Sequence, residues 1–154
     1  MVPIRAARPD EAAALSALCL NAKAHWGYEP DFLAQCRDAL TVDPAAIRAG
    51  DVFVATDADD RAIGLHQVSG DELVLLYVDP AWMGRGIGSK LLRHAAALAR
   101  RRGRDRLSIL ADPHAAPFYR ARGAFYLQDA PSDAIPGRML PLYVLPIGTE
   151  GSAP

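Results

Sequence analysis

Three glycines at alternate positions, Gly84, Gly86 and Gly88, have the most specific chemical use in this 154-residue chain. Residues without side chains let the backbone approach a ligand closely and adopt positive φ. An apolar run ending at Val78 precedes them and a helical apolar stripe starting at Ile87 follows, so they form a strand-to-helix turn. The free N–H groups of a helix start point at whatever sits there, and the helix dipole favours an anion. A phosphate or pyrophosphate suits that chemistry. A P-loop would need Gly-Lys-Ser/Thr, and the chain has Gly88-Ser89-Lys90 in the wrong order. A dinucleotide fingerprint would want glycine where Ser89 stands, although Asp112 lies at about the right distance downstream for a ribose contact. A turn that merely tightens strand-to-helix packing is the plain alternative.

The elements that must position this turn follow from apolar spacing. Residues 2–6 read as a first strand, and Pro9, Asp10 and Glu11 open a helix carrying Leu15, Leu18 and Ala22. Gly27 breaks it, and a second helix is predicted over 31–40, followed by a loop from Asp43-Pro44 to Gly50. Strands are predicted over 52–55, 62–68 and 72–78, the last two joined by the hairpin chemistry of Ser69-Gly70-Asp71. The helix after the glycines runs to about 102 and buries Ile87, Leu91, Ala95 and Leu98, with Gly103 closing it. A strand over 106–111, a helix over 115–122 and strands over 124–127 and 140–145 complete the order. This is a mixed α/β sheet, mostly antiparallel, with one parallel strand–helix–strand unit at 72–111. Ligands favour the C-terminal ends of such strands. Residues 1–147 read as a single domain and 148–154 as a disordered tail.

Composition narrows the partners. Seventeen Lys+Arg against eighteen Asp+Glu give a net charge of −1, which argues against a chain built to grip nucleic acid. The longest apolar run, 73–78, is far short of the ~20 residues that span a bilayer, so no membrane is expected. Cys19 and Cys36 show neither metal spacing nor a disulfide framework, and the start lacks a signal peptide's apolar core, so a cytoplasmic protein is expected. The four histidines show no ligand spacing, so no metal is expected.

The stretch Leu76-Tyr77-Val78-Asp79-Pro80-Ala81-Trp82-Met83-Gly84-Arg85-Gly86-Ile87-Gly88-Ser89 resembles the acetyl-CoA-binding motif of the GNAT-type N-acetyltransferases, Arg/Gln-x-x-Gly-x-Gly/Ala after a strand. Downstream, Asp112-Pro113-His114-Ala115-Ala116-Pro117-Phe118-Tyr119 through Gly123-Ala124-Phe125 is similar to the family's second signature, Asn-x-x-Ala-x-x-Phe-Tyr-x-x-x-Gly-Phe. Two positions depart. Met83 replaces the usual Arg or Gln, and Asp112 replaces the usual Asn.

The resemblance implies a GNAT-like fold with a splay between the fourth and fifth strands, and transfer of acetyl from acetyl-CoA to a primary amine by direct attack. The acceptor implied by the small loops is a small molecule. The alternative is a catalytically silent module of the same fold that binds CoA. Cofactor contacts would come from Leu76, Tyr77, Val78, Gly84, Arg85, Gly86, Ile87, Gly88, Ser89, Asp112, Phe118 and Tyr119, with Lys90 and Arg93 nearest the nucleotide's 3′-phosphate. Tyr119 would be the general acid. Glu72 falls where histone-type relatives keep a general base, with His25 and His66 as water-mediated alternatives. The acceptor groove would involve His25, Trp26 and Tyr28, whose rings attract a cation, and Arg138, which would hold a substrate carboxylate. Homodimers are common in that family, so one is an expectation here too.

Overall fold

The computed structural model describes residues 2–148. Strand β1 (Ile4–Ala6) leads through a 3-10 turn at Pro9–Glu11 into α1 (Ala12–Ala24), α2 (Pro30–Cys36) and α3 (Pro44–Arg48). The meander β2 (Val52–Thr56), β3 (Ala62–Ser69) and β4 (Glu72–Val78) follows. Then come α4 (Ile87–Arg101), β5 (Arg106–Leu110), α5 (Ala116–Ala121), β6 (Phe125–Pro131) and β7 (Met139–Pro146). The seven strands make one sheet in the order β1-β2-β3-β4-β5-β7-β6. Every neighbouring pair is antiparallel except β4 and β5.

Most elements fall within three residues of the sequence reading, and three departures are larger. The helix expected over 31–40 ends at Cys36, and looser turns carry the chain on to Leu40, whose N–H bonds the Cys36 carbonyl at 3.1 Å. The segment expected to be loop at Pro44 is the helix α3. Asp43 caps it, accepting from the Ala45 N–H at 2.8 Å, and proline takes the first helical position. Strand β6 reaches Pro131, well past 127, because it pairs along β7 as far as Pro131↔Met139. Its residues are exposed at all but one position, so no apolar alternation marks its length. The expected tail lies outside the described residues from 149 onward.

Helices cover both faces. On one, Leu15 and Cys19 of α1 pack with Cys36, Val42, Ile47, Val52, Val54, Leu65 and Leu75. On the other, Leu92, Ala95 and Leu98 of α4 pack with Val68, Leu73, Leu107 and Tyr143. Both free cysteines lie in the first cluster as small apolar fillers, and burial pushes the Cys19 thiol up to about 12.

Strand β4 is irregular on both of its edges. Opposite β3, Gln67 pairs with Leu75 and Val68 with Leu73, so Val74 is an extra, exposed residue. Leu73 and Leu75 consequently pack into opposite cores, although an unbroken strand would turn them to the same face. Toward β5, pairing is confined to Glu72↔Ser108 among the described residues. The two parallel strands then part toward their C-terminal ends.

Candidate active site

The three glycines of the turn are needed for different reasons. Gly84 and Gly86 have φ of 78° and 79°, conformations that side-chain-bearing residues rarely adopt. Gly88 has ordinary φ, but a Cβ there would come within 3.3 Å of the Phe118 ring. Gly86 is also the N-cap of α4, and having no side chain it leaves the helix's leading amides uncapped. Those amides and the dipole of a 15-residue helix converge on one point.

Beside that point lies a cleft of about 340 Å³. It is walled by Leu76, Tyr77 and Val78 of β4, by Gly84, Gly86, Ile87, Gly88 and Ser89, and by Phe118 and Tyr119 of α5. Tyr119 is 6% exposed, and burial pushes its phenol above the usual tyrosine range, so it carries its proton at neutral pH. Of the expected cofactor residues, Arg85 does not line this cleft. Its guanidinium lies over the Trp82 ring at 4.7 Å.

A cationic residue missed in the sequence is Arg122, just beyond α5. Its Nε donates to Ser89 Oγ at 2.6 Å, and its guanidinium sits 3.8 Å from the Phe118 ring centre. It therefore brings positive charge to the first turn of α4, near Met83, which lines the same cleft without a polar group. Only folding brings residue 122 to residue 89, so spacing could not reveal it. Lys90 donates instead to the Val2 carbonyl, which withdraws it from the phosphate role, and Arg93 is exposed outside the cleft.

A second cleft of about 180 Å³ lies across Tyr77, which lines both. Lys23, Arg138, Glu72, Asp133, Leu75 and Leu140 are among its walls. Glu72 opens β4 and is exposed. Burial of part of its carboxyl, then Asp133 and Asp71, raises its pKa. Three residues, one of them the extra residue Val74, separate it from Leu76, at most about 13 Å of strand, so proton transfer at that level needs intervening water.

Asp112 is buried between His114 of the first cleft and Lys23 of the second. Its Oδ2 accepts from Lys23 Nζ at 3.0 Å and the Tyr28 hydroxyl at 2.8 Å, and its Oδ1 accepts from the His114 N–H at 2.8 Å. Burial alone would raise its pKa, but the His114 amide, Lys23 and Tyr28 together hold it below the usual carboxylate range. Arg138 Nη2 donates to the Tyr28 hydroxyl at 3.1 Å and lies 3.9 Å from Asp112. The carboxylate expected to meet a cofactor amide is thus occupied by protein donors, and Asp112 lines neither cleft directly.

The aromatic cluster differs from expectation in the same way. Trp26 lines the first cleft and stacks on His114, while Tyr28 stacks on Phe32 at 4.3 Å. The cations near these rings are the protein's own: Lys23 lies 5.5 Å from the Tyr28 centroid, and Arg138 lies 4.8 Å from that of Phe32. His25 is exposed in neither cleft. His66 is fully buried, bonded to His94 Nδ1 at 2.9 Å, and outside both clefts, so it is no proton acceptor for a substrate.

Comparison with known proteins decides the family. Residues 48–123 match the family model described as an acetyltransferase (GNAT) domain, a span that holds the glycine turn, both splayed strands and α5. The chain carries a GNAT acetyltransferase domain. A GCN5-related N-acetyltransferase from Rhodopseudomonas palustris superposes on the GNAT chain with a TM-score of 0.79 at 24% identity, covering 95% of this chain and 96% of that one. YncA, a putative acetyltransferase from Salmonella typhimurium with acetyl-CoA, gives 0.69 at 23% identity over 100% and 98%. The PaiA N-acetyltransferase from Thermoplasma acidophilum, in complex with coenzyme A, gives 0.72 at 15% over 95% and 99%. At these identities the likeness establishes the fold. No curated protein sequence matches. Among the described residues, no helix is long and apolar enough to cross a membrane.

Proposed function

We propose that the protein is an acetyl-CoA-dependent N-acetyltransferase acting on a small-molecule primary amine. The observation that carries this is the meeting of two clefts at Tyr77, one built around an uncapped helix start and the other able to admit an acceptor. When bound, acetyl-CoA supplies an activated acetyl thioester. The amides of 87–89 and Arg122 would hold its pyrophosphate, and the β4 edge freed by the splay would bond its pantetheine arm as an added strand does. A backbone N–H at the Tyr77 level would polarise the thioester carbonyl. Glu72 would receive the acceptor's proton through water in the second cleft, its raised pKa suiting a base. Tyr119 would return a proton to the departing thiolate. Two buried, unpaired cysteines suit a reducing compartment such as the cytoplasm.

Tyr119→Phe tests the assignment, because it keeps the ring and removes only the proton. CoA affinity and thermal stability should be retained while kcat falls about 10²-fold or more, the lower bound for a general acid. Unchanged kcat, with product release shown not to limit, would remove Tyr119 from the mechanism. CoA binding without thiol release from acetyl-CoA for any amine would favour a silent binding module.

A further inference from the structure

We infer that the acceptor carries a carboxylate next to its reacting amine, an α-amino acid being the simplest case. The inference rests on the acetyltransferase reading for the position of the reacting amine, and on the charge balance around Asp112 for everything else. Two cations, Lys23 and Arg138, converge on one carboxylate. The pair Lys23–Asp112 is nearly closed off, with side chains 9% and 6% exposed, whereas Arg138 beside it is 22% exposed, so the surplus charge is the one that faces the cleft. One positive charge is left over.

The donors are left over as well. Among the described residues, Lys23 Nζ gives one side-chain hydrogen bond, to Asp112, out of the three it can donate. Arg138 gives its one bond to Tyr28 from Nη2, which leaves Nε and Nη1 without a partner. Both residues line the second cleft. A planar guanidinium with free donors, held by Tyr28 and Phe32, is prepared for a carboxylate. An ammonium there would face two cations.

The position within the cleft selects an amino acid over a distant acid. Strands β4 and β5 run parallel from Glu72↔Ser108, so Asp112, just past the end of β5, belongs to the C-terminal level of the sheet, and its partners Lys23 and Arg138 line the second cleft together with Tyr77. The thioester carbonyl of the proposed mechanism sits at that same level. The anion site is therefore adjacent to the point of attack, while the other charged groups of the cleft, Glu72 and Asp133, gather at the opposite end of β4. A carboxylate at the acidic end would be repelled. The substrate's side chain would extend that way, past Leu75 and Leu140.

The test compares each of a panel of amino acids with its carboxamide and its decarboxylated amine, reading thiol release from acetyl-CoA. Free amino acids should be the better acceptors. Arg138→Gln should raise their KM about 10- to 100-fold, the weight of a charge-assisted hydrogen bond, with CoA affinity unchanged, and Arg138→Lys should recover part of it. Carboxamides or plain amines used as well as the acids, or an unmoved KM in Arg138→Gln, would overturn the inference. Calorimetry with N-acetyl amino acids on the CoA-loaded protein separates the two readings. Binding that needs the carboxylate and Arg138, with no turnover of any amine, would uphold the anion site and sink the enzyme. Equal binding of the N-acetyl carboxamides would sink the site.

Discussion

At the scale of single residues, the distinguishing exchange is between Met83 and Arg122. The motif's usual polar side chain at position 83 is missing, and an arginine from the far end of α5 reaches the same helix start. Arg122→Ala should weaken CoA binding about 5- to 10-fold, modest because the group is exposed, and the loss should shrink as salt is raised. Titration calorimetry at two ionic strengths reads both effects. An affinity indifferent to the substitution would leave the pyrophosphate to the amides alone. Asp112 teaches the opposite lesson. Its position in the motif suggested a ligand contact, yet its lone pairs go to Lys23, Tyr28 and the His114 amide. A buried carboxylate takes whichever donors folding delivers, and those from Lys23 and Tyr28 come from outside the motif.

At the scale of elements, the turn from β4 to α4 was legible because its requirements are local. Positive φ, close packing and an open helix start each select glycine within five residues. Gly86→Val places a β-branched residue in the left-handed region, at a cost of about 1–2 kcal/mol, and adds bulk beside the cleft. CoA affinity should fall at least 10-fold with the melting temperature lowered by a few degrees, whereas Gly86→Ala should lose less of both. Near-normal CoA affinity in the valine variant would detach this turn from the cofactor. The long helices α1 and α4 were legible too, since each buries one stripe against the sheet. Strand β6 was not, because an exposed edge has no periodicity to read. Short α3 was hidden too: Asp43 and Pro44 announce both a turn and a helix start, and only the backbone bonds that continue beyond them, Ile47 N–H to Asp43 and Ala49 N–H to Ala45, distinguish the two. The second cleft was the least legible part. Its cations come from α1 and from the stretch between β6 and β7, and nothing in the sequence says that they meet.

At the scale of the whole molecule, the α4 face carries a histidine pair that ties stability to pH. His66 is fully buried with Nδ1 unbonded. Burial first, then His94 and the charge of Arg102, push its pKa from 6.5 down to about 3. His94, also lowered by burial and by Arg101, moves the same way. The folded chain thus holds His66 neutral where the unfolded chain would protonate it. Stability is full above 6.5 and falls as the pH drops toward 3, by at most about 1.4 kcal/mol per pH unit. Urea unfolding at pH 7.5 and 5.5 should show a loss of about 1 kcal/mol that is mostly absent in His66→Leu. A wild-type midpoint equal at both values would mean the pair is not held neutral. Elsewhere on this sheet the extra residue in β4 governs something less local. Leu76 and Val78 face α4 while Tyr77 faces α1, so counting back by twos would send every even-numbered residue, Glu72 included, to the α4 side. Val74 reverses the parity, and Glu72 shares the second cleft with Tyr77. Losing that one residue, which fills no core, would exchange odd for even along the rest of the strand and turn the only carboxylate of β4 away from the second cleft. An alignment that slides a gap across Val74 therefore keeps the letter at position 72 and misstates the side of the sheet that it faces.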